Sequence, residues 1–164
     1  MLAAVTFQDL VLGLHILAVV VAYGVVFAYP IIGAVVSRAD PRATPLLHRM
    51  QHTAGRYLVN PGLLVVVLAG IYLASKEHRW GAFYVQWGIG VSIVIGAIGG
   101  GFISPRERRL AEVSGRDVGA SPTGDVAFSD EYVTLARQVS VAGAVVALLV
   151  VITIFFMAQH LGGS

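Results

Sequence analysis

Residues Leu10 to Ser37 read LVLGLHILAVVVAYGVVFAYPIIGAVVS, a run without a single Asp, Glu, Lys or Arg. A bilayer core roughly 30 Å thick is crossed by about 20 helical residues, so this stretch is long enough to span one. A cleaved signal peptide has a basic flank and an apolar stretch of only about 7 to 15 residues. Here the first basic residue is Arg38 and the run is preceded by the acidic Asp9. The segment reads as a retained first span.

Three more uncharged runs follow, from Tyr57 to Ser75, Gly81 to Pro105, and Gln138 onward. The chain as a whole agrees: of its 164 residues 57% are hydrophobic and 12% charged, against about 25% charged in an ordinary soluble domain. These runs predict an all-α integral membrane four-helix bundle in one domain. Its spans cover about 10–36, 57–75, 82–103 and 138–159, separated at one side by loops 38–56 and 104–137.

Orientation follows from the positive-inside rule. Arg38, Arg42, Arg49 and Arg56 lie in the first connection, and Arg106, Arg108, Arg109, Arg116 and Arg137 in the third, against only Lys76 and Arg79 in the second. The first and third connections are therefore expected in the cytoplasm and both tails outside, as in a multi-pass protein of a bacterial plasma membrane. Trp80, Tyr84 and Trp87 suit an outer aromatic belt. The net charge of +2 needs no nucleic-acid partner to explain it. The absence of cysteine excludes disulfides and thiolate metal sites.

Helix boundaries carry local signals. Thr44-Pro45 has the form of an N-cap and first helical residue, and Asn60-Pro61-Gly62 marks a kink near the inner interface. Ser104-Pro105-Arg106-Glu107 resembles a capping box and predicts a short cytoplasmic helix from Pro105 to Val113, between spans three and four. Gly115 to Phe128 reads as loop. Ser129 is expected to cap the fourth helix, with Asp130 and Glu131 against its dipole and Phe128 stapled to Val133.

Candidates for chemistry are few, and no catalytic residue or metal site emerges. His15 is the titratable group inside a span, on a heptad face with Gln8, Ala22 and Tyr29. Such an imidazole can tie helices together through a hydrogen bond, or serve as an axial haem ligand or a donor to a quinone. His160, with Thr153 on the same face of the fourth helix, could complete a clamp for haem b with His15, and Tyr29 on the His15 face is a further candidate cofactor contact. His48 and His52 have the spacing of a metal pair, but the glutamate of the protease motif is missing. Arg49 and Arg56 around them favour phosphate or lipid headgroups instead. Arg106, Arg108 and Arg109 form a second basic group suited to headgroups. On the third span Gly88, Ser92, Gly96 and Gly100 place a small residue at every fourth position, a pattern that lets helix backbones approach closely in lipid.

Leu14-His15-Ile16-Leu17-Ala18 with Gly24 and Pro30, and the His48 to Gly62 segment, resemble a bacterial family of predicted integral membrane proteins, domain-of-unknown-function family 2269. The leucine-histidine opening is also distantly similar to the copper-resistance D membrane proteins and to the HemJ family of membrane protoporphyrinogen oxidases. That likeness implies a metal or haem role for His15 alone.

Three functions stay open. The first is a helix-packing or accessory protein, partnered by the bilayer and by a second copy or another membrane protein. The second is a haem- or quinone-associated redox protein using His15. A small-molecule carrier is third, weakened by the lack of intramembrane charge.

Overall fold

The computed structural model describes residues 5–161, and every regular element among them is helical. Four long helices account for nearly all of it: α1 (Phe7–Ala39), α2 (Pro41–Lys76), α3 (Phe83–Ala120) and α4 (Asp130–Leu161). Each is long and apolar enough to cross a membrane, with hydropathies from 1.7 to 2.8 in the richest window. No more than 17% of any such window is buried inside the bundle. Leu17, Ile31, Leu64, Ile93 and Phe155 are all more than half exposed. Apolar surface on that scale calls for hydrocarbon rather than water as the surrounding medium.

The helices run antiparallel in sequence order, and side-chain contacts fix which ends meet. Gln8 Nε2 donates to Glu77 Oε1 at 3.0 Å, and Trp87 Nε1 donates to Thr153 Oγ1 at 3.1 Å. The start of α1 thus meets the end of α2, and the start of α3 meets the end of α4. This is the tail end of the bundle. At the opposite end Arg42 donates to the Gly124 carbonyl at 2.9 Å, and His48 Nε2 lies 3.2 Å from Tyr132 Oη. Nine of the eleven basic residues belong to the connections and helix ends on this side, which we term the basic end.

Local chemistry explains the boundaries. Thr6 opens α1 with a capping box, accepting from the Asp9 amide while the Asp9 carboxylate accepts from the Thr6 amide. Asp40 closes α1 and caps the single 3-10 turn Pro41–Ala43, accepting from the Arg42 amide at 3.0 Å. Thr44 is consequently the first α-helical residue rather than a cap, and its neighbour Ala43 makes no side-chain cap. The expected kink around Asn60-Pro61-Gly62 coincides with five residues of π-helix, Gly55–Val59. Proline at the following turn has no amide to give, and a wider turn accommodates its ring. Helix α2 ends at Lys76, and His78 just beyond it adopts φ of 52°, the left-handed conformation that stops a helix.

At Ser104 the structure differs from the capping-box reading. Helix α3 passes through a π-helical stretch, Ala97–Ile103, and continues unbroken as Ser104–Ala120. No side-chain cap forms at its start, because the preceding residues already satisfy the amides. The expected Pro105 to Val113 helix is therefore an internal stretch of a longer one that runs on to Ala120. The cap at Ser129 is present: its hydroxyl accepts from the Tyr132 amide at 3.4 Å. Phe128 stacks on Tyr132 at 4.4 Å between ring centroids, and Val133 faces outward.

Two cores hold the bundle. In the apolar layer Ala22 and Tyr23 of α1 meet Val91 and Ile95 of α3 and Val146 and Val150 of α4. At the basic end Leu110, Val113 and Ser114 of α3 are the most deeply buried side chains, packed against the first turns of α2.

Candidate functional site

His15 sits between α1 and α2. Its Nδ1 lies 3.0 Å from the Val66 carbonyl oxygen, a geometry in which the ring N–H donates and ties the two helices. The ring lies beside Gly70, where an added methyl group would make ordinary contact with it, 3.5 Å from His15 Cε1. The bond to Val66 fixes the tautomer of the ring and leaves Nε2 as its acceptor nitrogen. The apolar groove between α1 and α2, lined by Val11, Leu14, Val65 and Leu68, does not include it. Among the described residues no three His, Cys, Asp or Glu side chains cluster as metal ligands. The side chain of His160 lies outside the described residues. Tyr29 lies fourteen residues from His15, about 21 Å along the helix at 1.5 Å per residue, and belongs to the basic end.

A buried polar cluster occupies that end. His48 is buried, its Nδ1 at 3.1 Å from Gln51 Oε1 and its Nε2 at 3.2 Å from Tyr132 Oη. Both ring nitrogens are engaged, so the His48 and His52 pair offers no joint metal seat. Burial lowers the His48 pKa, although the Gln51 hydrogen bond works the other way. Tyr29 Oη reaches the Gln51 carbonyl at 3.5 Å. Glu107, only 6% exposed, makes no hydrogen bond or ion pair among the described residues. Burial pushes its carboxyl up to about 7.

A second layer braces the 121–129 connection. Asp117 Oδ2 accepts from the Ser129 amide at 2.9 Å and from its hydroxyl at 2.7 Å, while Arg116 pairs with Asp117 and Glu131. Burial alone would raise the Asp117 pKa. The Ser129 hydrogen bonds and the Arg116 guanidinium outweigh it and leave the carboxylate below its ordinary value.

Outside the cluster lies an open groove of about 660 Å³ between α2 and α3, lined by His52, Arg56, Gly100, Ser104, Arg108 and Arg109 among others. Two of the basic residues expected at a headgroup, Arg108 and Arg109, thus share one surface with His52 and Arg56. Arg106 is elsewhere, its guanidinium 3.5 Å above the Phe102 ring and bonded to Gln138. Nothing in the comparisons assigns these residues a role. No protein family, curated protein or solved structure matches this chain.

The small residues of α3 divide between two directions. A methyl group added at Gly88 would meet Met157 of α4, and one at Gly96 would lie 3.4 Å from Leu63 of α2. Ser92 is half-buried, whereas Gly100 is exposed and faces open space. Residues four apart advance about 40° around a helix of 3.6 residues per turn, so the ladder winds from the interior to the outside. Sequence reading missed a tighter contact, at Gly62. A methyl group there would sit 2.5 Å from Ala22 Cβ, and the signal was in the string, since Gly62, Val66, Ala69 and Gly70 place small or buried residues along one face of α2.

Proposed function

We propose that this chain is an accessory protein of a bacterial plasma membrane, with both tails outside, that assembles through α3 with a transmembrane helix of a second copy or another subunit. One observation carries the reading. Gly90, Ala97 and Gly101 are exposed on α3, and methyl groups at the two glycines would meet nothing within 4 Å. Ile93 and Val94 flank them, 69% and 46% exposed. Bare backbone bordered by branched side chains is how helices dock closely in lipid, where van der Waals packing rather than hydrophobicity drives association. The bundle's own contacts leave this face uncovered. The polar groups further into the bundle are consistent with a structural role: His15 and Trp87 each spend a ring N–H on a neighbouring helix.

Because the chain has no cysteine, a Val94→Cys variant gives a single reporter. In native membrane vesicles it is expected to cross-link to one species, either itself or one partner, and Gly90→Leu with Gly101→Leu should abolish the product. A cross-linking pattern identical to that of a cysteine placed at Phe155, on the lipid-facing side of α4, would overturn the reading.

A further inference from the structure

The groove at the basic end combines charge, shape and position in a way that the assembly reading does not use. Three guanidinium groups, from Arg56, Arg108 and Arg109, border it together with the ring of His52, against one carboxylate, Glu112. Arg109 is largely neutralised by Glu131, 2.7 Å away. Arg108 pairs with Glu112 only at 3.5 Å, with both side chains more than half exposed, an arrangement that contributes little and exchanges readily. Arg56 has no acidic partner among the described residues and lies over the ring of Tyr57. His52 Nδ1 is buried without a hydrogen bond. Its Nε2 is neither bonded nor buried, and is the nitrogen through which the ring can meet a ligand. Ser104 adds a hydroxyl at the junction of the two layers.

Position separates a lipid from a free anion. The groove begins at Gly100, inside the third uncharged run, and ends at Glu112, just over three turns further along α3. Tyr57, 69% exposed, lies against Arg56, and its ring is apolar surface for an acyl chain beside the cations. Guanidinium forks match the oxygens of a phosphate diester, and basic pockets beside membrane helices on this pattern bind anionic headgroups. The excess of cations over carboxylates disfavours a headgroup that brings its own ammonium.

We propose that this groove is a binding site for the phosphodiester headgroup of an anionic phospholipid, held by Arg56 and Arg108 with His52 and Ser104, while its acyl chains lie along Gly100 and Tyr57. The site does not depend on whether α3 docks a partner. It joins two basic groups, from α2 and α3, that are some fifty residues apart in the chain.

The test uses the full chain in detergent, with native mass spectrometry to count retained lipids from equal mixtures of phosphatidylglycerol and phosphatidylcholine. Phosphatidylglycerol should be retained preferentially, and Arg56→Gln or Arg108→Gln should each weaken that preference about fivefold, taking about 1 kcal/mol per basic contact. Arg42→Gln, a basic position bonded instead to Gly124, should leave it unchanged. Equal retention of the two lipids, equal loss in all three variants, or displacement of the lipid by millimolar inorganic phosphate would overturn the proposal. Should either groove variant fail to fold, photoactivatable phosphatidylglycerol on the wild-type chain decides: adducts at 52–58 and 100–112 support the site, and adducts confined elsewhere sink it.

Discussion

Glu107 shows how one residue changes meaning with its context. In the sequence it looks like the third residue of a helix start, where its carboxylate would reach back to an amide. In the structure the helix is already under way, and the side chain points into the packed face formed with Leu110, Ala111 and Ser114. Burial favours the neutral acid. The folded pKa, about 7, lies above the ordinary 4.5, so its contribution to stability is fully present below pH 4.5 and is lost as pH rises through 7. The linked penalty approaches about 3 kcal/mol above that range. His48 nearby acts in the opposite direction: its lowered pKa favours the fold at higher pH and costs stability as pH falls below the ordinary histidine range. Glu107→Gln isolates the carboxyl. The variant should melt like the wild type near pH 5 and several degrees higher near pH 8.5, measured by thermal unfolding in detergent. Equal melting temperatures at the higher pH would show that the carboxylate is solvated.

At the scale of elements, α1 and α2 approach closely where Gly62 receives Ala22. Both atoms belong to helix backbones or their first carbon, so neither can swing aside. Gly62→Ala should therefore destabilise the bundle by about 1 to 3 kcal/mol, the usual cost of overpacking, and Ala22→Gly in the same chain should recover most of it. Gly88→Ala, which meets only the flexible end of Met157, should cost much less. Chemical denaturation of the reconstituted variants checks both. Spans and the tie at His15 were legible because hydrophobic length and an isolated polar group read directly from one-dimensional spacing. The phase of the α3 ladder was not, because a four-residue repeat drifts around the helix and the π-helical stretch Ala97–Ile103 shifts it again. The groove was half legible: each helix announced its own basic residues, but only packing of α2 against α3 brings Arg56 beside Arg108 and turns Arg106 away.

For the whole molecule, the arginine asymmetry predicts which end faces the cytoplasm. Single cysteines at Gln8, Glu77 and Asp125, introduced into the cysteine-free chain, should react with an impermeant maleimide on intact cells in the first two cases and only after lysis in the third. Labelling of Asp125→Cys on intact cells would invert the orientation. The four-helix architecture was evident from composition because four long uncharged runs have few soluble alternatives. The extent of the polar head was not, since Gly115 to Ala120 looks like loop but is held in helix by Asp117, which anchors the connection to Ser129.

Helices α2 and α3 each cross both layers without interruption, through a wide turn at Gly55–Val59 in one and Ala97–Ile103 in the other. The head is thus an extension of the same rods that stand in the bilayer rather than a separate module on a tether. Such continuous rods are expected to bend, if anywhere, at these two wide turns, so a tilt of one end would be felt at the other.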